Sequence, residues 1–114
     1  MTNQELFDVV IAHARSQNAR AIENEVCSYR TVEGLKCFAG ALIKDEFYRP
    51  DLERYGAQFS NVQHVLKQSG ISPEQLGLVY KLQRIHDRHL VPEWPREFRV
   101  LAEMEGLAYE DDPA

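Results

Sequence analysis

Two cysteines, Cys27 and Cys37, are all that the 114 residues contain. That is too few for the disulfide framework that stabilises small secreted domains. A chain of this length buries a core of its own and needs no such framework. Long apolar runs are also missing. The clearest ones, Val9-Val10-Ile11-Ala12, Phe38-Ala39 and Ala41-Leu42-Ile43, fall far short of the ~20 residues that span a bilayer. The opening Met1-Thr2-Asn3-Gln4-Glu5 lacks the basic start and apolar stretch of a signal peptide. A cytoplasmic protein with reduced thiols and no membrane partner is expected. Basic charge is in deficit, with 13 Lys+Arg against 18 Asp+Glu for a net charge of −5. This excludes broad attraction to a phosphate backbone, although not a local basic patch. Six glycines and five prolines give no collagen-like or low-complexity stretch. No repeat or linker divides the chain, so residues 1–108 are expected to form one globular domain, followed by an acidic, flexible tail at 109–114.

What is present reads as helix. Thr2-Asn3-Gln4-Glu5 has the spacing of a capping box, and Leu6, Val9, Val10 and His13 follow at helical intervals. The first helix should run from about residue 3 to a stop at Asn18. Val26–Arg30 and Leu35–Cys37 alternate apolar and polar around Thr31, Glu33 and Gly34, which suits either a short β-hairpin near residues 26–36 or an irregular loop leading to a helix. Small residues at 39, 40 and 41 favour a core helix beginning at Cys37. Pro50 biases Arg49 away from helix, so residues 45–59 should be mostly loop. Ser60 opens a short helix closed by Ser69-Gly70. Ser72-Pro73-Glu74-Gln75 is the strongest start signal, with a capping serine, proline at the first helical position and glutamine at the capping-box position. That helix should reach about residue 89. Pro95 opens a last helix, ended by Gly106 with Leu107 folding back. The expected fold is mainly α, a compact single-domain bundle of about five helices. Its core should hold Leu6, Val9, Val10, Phe38, Leu42, Ile43, Val65, Leu66, Leu76, Val79, Leu82, Phe98 and Leu101.

The stretch Cys27-Ser28-Tyr29-Arg30, then Gly34-Leu35-Lys36-Cys37-Phe38-Ala39-Gly40-Ala41-Leu42-Ile43-Lys44-Asp45-Glu46-Phe47-Tyr48, resembles small uncharacterised proteins of bacteria and their phages. Leu82-Gln83-Arg84-Ile85-His86-Asp87 and Trp94 resemble their second segment. The resemblance covers about residues 27–105 and departs at Lys44, where a proline is expected. It implies a phage or mobile-element origin and carries no activity.

Three constellations could carry chemistry. Cys27, Cys37, His86 and His89 offer four soft or borderline ligands for a tetrahedral zinc site. The nine residues between the cysteines and the H-x₂-H pair do not match finger or ribbon spacing, so buried cysteines and a core histidine are the favoured reading and no cofactor is expected. Cys37 at a helix N-terminus could act as a nucleophile with His86 as base and Asp87 or Asp45 as its orienter. Its apolar neighbours would raise the thiol pKa, which makes an enzyme the less favoured reading. The adjacent carboxylates Asp45 and Glu46 suggest a cap and an ion pair, with Arg30 expected to pair with Asp45 or Asp87.

The third constellation is a charge stripe. Lys81, Arg84 and Arg88 fall at helical spacing, with Arg96, Arg99, His89 and Trp94 close by in sequence. Residues 81–99, following a short helix and turn, have a helix-turn-helix look. The acidic total makes nucleic acid the less favoured partner. Trp94 is either a plug between helices or an exposed anchor, the plug being favoured. The leading expectation is therefore a small acidic protein-binding module, an adaptor or inhibitor, using Lys81, Arg84, Arg88, Trp94 and Arg96. A Cys/His metal or thiol site built on Cys27, Cys37 and His86 is the first alternative, and DNA binding is the second.

Overall fold

In the computed structural model, which describes residues 1–112, the chain is mainly helical with a short two-stranded sheet. Its order is α1 (Asn3–Gln17), β1 (Ile22–Glu23), β2 (Val26–Cys27), α2 (Phe38–Leu42), α3 (Ser60–Gln68), α4 (Leu76–Arg88) and α5 (Trp94–Glu105). Short 3₁₀ turns at Asp45–Phe47, Pro50–Arg54, Pro73–Gln75 and Val91–Glu93 join them. The radius of gyration is 13.3 Å.

Helix boundaries follow local chemistry closely. Thr2 Oγ1 accepts from Glu5 N–H while the Glu5 carboxylate accepts from Thr2 N–H. The backbone and hydroxyl bonds from Thr2 hold the Glu5 carboxyl below its usual pKa. Asn18 closes α1 in the left-handed region, as does Gly106 after α5, where Leu107 N–H reaches back to the Ala102 carbonyl. The α1 stripe differs by one position from the expected one. Leu6, Phe7, Val10, Ile11 and Ala14 are buried, whereas Val9 is 42% exposed. Val9 and His13 flank the stripe, and Phe7 and Ile11 belong to the core instead. The other twelve expected core residues are buried.

The hairpin also lies upstream of its expected place. Ile22 pairs with Cys27 and Glu23 with Val26 around a turn in which Asn24 and Glu25 both have positive φ. This is the backbone hand that tight hairpins require. The expected pairing of 26–30 with 35–37 survives only as a single bridge between Arg30 and Lys36.

The short helix α2 is central, packing against both α1 and α4. Its Gly40 allows this, because a Cβ there would sit 2.1 Å from the Tyr29 carbonyl oxygen. Phe38 is the hub of an aromatic cluster, with ring centroids 4.9 Å from Trp94, 5.2 Å from His86 and 5.7 Å from Phe98. Burying a side chain of this kind contributes roughly 1.5–3 kcal/mol.

The chain end is tethered as far as it is described. Tyr109 packs on Phe7 and Phe98, Gln4 bonds the Ala108 backbone in both directions, and Arg99 pairs with Asp111. Pro113 and Ala114 of the acidic tail lie outside the described residues. Among the described residues, no helix is long and apolar enough to cross a membrane.

Candidate functional site

The chemistry-bearing residues collect around α4, whose inner and outer faces differ sharply. The inner face brings His86 and Asp87 to Cys27 on β2. One ligand atom from each of these three residues lies within 4.8 Å of the other two. Cys37 and His89, the other two candidate zinc ligands, are not members of this cluster. Cys37 shares a cleft with Cys27, whereas His89 lies beside Glu93 and Glu97 at 3.6 and 3.5 Å.

Hydrogen bonding decides what the cluster can do. The fully buried His86 ring accepts at Nε2 from the Ala21 backbone N–H, 2.9 Å away. A neutral imidazole that accepts at Nε2 carries its proton on Nδ1, which stands 2.9 Å from Asp87 Oδ1 and donates to it. Neither nitrogen keeps a free lone pair, so His86 cannot give one to a metal or take a proton from a thiol without abandoning Ala21. The Arg20 guanidinium adds to this. It donates to the His86 and Asp87 carbonyls at 2.9 and 2.5 Å, capping the negative end of α4, and stands 3.4 Å from Cys27 Sγ. A cation bound at Cys27 would face that positive charge.

The thiols are equally unsuited to nucleophilic work. Burial, with help from the Asp87 carboxylate, pushes the Cys27 pKa up. Complete burial pushes Cys37 to about 12, although its sulfur accepts from the Gly40 N–H as the N-cap of α2. In the structure Cys37 caps α2, His86 bonds Ala21 and Asp87, and Asp87 accepts from Gln83. The expected ion pair of Arg30 is found with Asp45 at 2.8 Å rather than with Asp87.

Beside this cluster a cleft of about 540 Å³ opens between β2, the loop around residues 53–58 and α4. Glu53, which no local pattern singles out, organises its wall. Its carboxylate accepts from the backbone N–H groups of Tyr29 and Arg30 at 2.8 and 3.0 Å and from the Tyr48 hydroxyl at 2.6 Å. Gln83 is a second residue the sequence does not flag. It accepts from Ala39 N–H and donates to Asp87, fastening α2 to α4.

The outer face of α4 exposes Lys81, Arg84 and Arg88. All three line a second hollow, between α4 and α5, with Val100 and Met104, which are 46% and 71% exposed. Lys81 is paired with Glu105 at 2.8 Å, but Arg84 and Arg88 pair with no carboxylate among the described residues. Two residues expected to bind alongside them do not take part. Trp94 is 3% exposed and donates its indole N–H to the His89 carbonyl at 3.2 Å, so it is the plug and not an anchor. Arg96 is exposed but lines neither hollow beside α4.

A helix-turn-helix reading requires the recognition helix to present its first turns to a groove. Here Gln75, Leu76, Leu78 and Val79 are buried, and Gln75 donates to the Met1 carbonyl and to Asn3. The start of α4 is thus consumed by packing. Comparison with protein-family models, with curated proteins and with solved structures gives no match.

Proposed function

We propose that the protein is a non-enzymatic binding module, an adaptor or inhibitor working in the cytoplasm, which holds an acidic, amphipathic segment of a protein partner against the hollow between α4 and α5. The observation that carries this reading is the pair of guanidiniums, Arg84 and Arg88, which meet no carboxylate among the described residues and lie beside exposed Val100 and Met104. In a chain with five more acidic than basic residues, two such cations side by side mark a local reversal of charge. Charge complementarity of that kind fixes register and speeds encounter, while the apolar strip supplies contact area. The phage or mobile-element origin rests on the resemblance of residues 27–105 alone.

The test is a tagged capture from host lysate with three baits, run with and without a chelator: the wild type, Arg84→Glu/Arg88→Glu, and Met104→Asp. One stoichiometric protein, cross-linked to α4 or α5 through an acidic segment and lost with both variants, is the expected result. Retention by both variants would refute the assignment of this face. Capture that a chelator abolishes would favour a metal site instead.

A further inference from the structure

The geometry points to a second site, which shares Arg84 and Arg88 with the docking hollow. The cleft between β2, the 53–58 loop and α4 binds a small organic phosphate of nucleotide size. Its volume, about 540 Å³, falls in the range of small-molecule sites, roughly 300–1,000 Å³. Three guanidiniums line it, Arg54 from the loop and Arg84 and Arg88 from α4, and none pairs with a carboxylate among the described residues. Arg84 and Arg88 are four residues apart on one helix face, and Arg54 comes from a different wall.

The two acids of the cleft form no ion pair with these three arginines, and the lining keeps an excess of positive charge, three arginines against two carboxylates. Glu53 is held by two backbone N–H groups and the Tyr48 hydroxyl, and Asp87 by His86 and Gln83. Arg20, which braces Asp87, adds a further positive charge next to the cleft. Guanidinium matches the oxygens of carboxylate and phosphate alike. Three of them suit the larger charge of a phosphate monoester, about −1.5 to −2 at neutral pH, better than that of a single carboxylate. Neutral donors and an aromatic surface complete the lining. The Tyr80 hydroxyl accepts from Gln63 at 2.6 Å and so keeps its own proton to donate. Tyr55, which lines the cleft and is 42% exposed, adds aromatic surface for a flat organic group.

Calorimetric titration of the full chain with AMP, adenosine and inorganic phosphate tests the site. AMP should bind, and adenosine and phosphate should each bind at least ~tenfold more weakly, with AMP affinity falling as salt rises. Arg54→Gln should weaken AMP roughly ten- to a hundredfold, the range for losing a charge-assisted hydrogen bond. Its circular dichroism and melting curve should match the wild type. Met104→Ala should leave AMP binding unchanged, because Met104 lines only the docking hollow and alanine adds no charge beside Arg84 and Arg88. No AMP binding at millimolar concentration would overturn the proposal. So would adenosine or phosphate binding as tightly as AMP, or a folded Arg54→Gln chain that binds AMP as well as the wild type does. Those outcomes would leave the protein-docking reading standing, since Arg54 lines the cleft and not the docking hollow, and Met104 the hollow and not the cleft.

Discussion

The inner and outer faces of α4 carry polar residues of similar promise and opposite fates. Cys27, His86 and Asp87 have the residue types of a metal or thiol site, yet both ring nitrogens, the thiol and one carboxylate oxygen are answered by other parts of the fold. His86 Nε2 takes the Ala21 N–H, Nδ1–H goes to Asp87, and Arg20 covers the helix end. Lys81, Arg84 and Arg88 form an ordinary-looking surface stripe, yet two of them meet no carboxylate among the described residues. Reactive residue types are thus a poor guide to function when their hydrogen-bonding capacity is already spent. Capacity left open is the better guide.

The sharpest way to break this comparison is His86→Ala. If the inner face is structural, the substitution leaves a void against Phe38 and Trp94 and strands the Ala21 N–H in a buried setting. The two penalties together should cost about 4 kcal/mol, read by urea denaturation. A variant that kept full stability while losing binding would return His86 to the functional side.

A smaller effect separates the thiols. Cys37 is neutral when folded, with its pKa raised by burial from an ordinary 9.0 to about 12. Between those values the unfolded chain has lost a proton that the folded one keeps. Stability is therefore fully present below about pH 9 and falls as pH rises toward 12. The limiting slope is ~1.4 kcal/mol per pH unit for one group. Cys27 shifts in the same direction, and Tyr29 and Tyr48, both raised by burial, join above pH 10. Cys37→Ser keeps a capping acceptor for Gly40 and removes the titration, so its stability should decline less between pH 8 and 10 than that of the wild type. An unchanged profile would mean that Cys37 ionises as easily folded as unfolded.

Much of this architecture was legible because it is local. The capping box at Thr2, the Ser72 N–H bond to the Gln75 side chain and the stops at Asn18 and Gly106 are short-range hydrogen-bond patterns, and the structure has them where the residues ask for them. The hairpin lies upstream of the alternating stretch 26–30 because its turn, with positive φ at Asn24 and Glu25, is weakly encoded. Valine fits either edge of the α1 stripe, and only tertiary packing leaves Val9 outside the core. The residues that build the cleft were the least legible. Glu53, Gln83 and Arg20 act across 24, 44 and 66 positions of sequence, on Tyr29, Ala39 and His86. No pattern within a turn or a helix face encodes such partners.

The smallest expected effect bears on the outer face. Arg84 and Arg88 stand four residues apart on α4, where like charges repel by roughly 0.2–0.5 kcal/mol. Among the described residues neither forms an ion pair that would offset this. Arg84→Gln should leave thermal stability unchanged or raise it slightly, within ~0.5 kcal/mol. A clear loss of stability would show that the guanidinium holds the fold and would make the two faces of α4 alike. A neutral or stabilising result, alongside loss of a bound partner or of AMP, would mean that the fold tolerates the repulsion without drawing stability from it. A side chain that folding does not need, kept beside an open hollow, is then accounted for by what it binds.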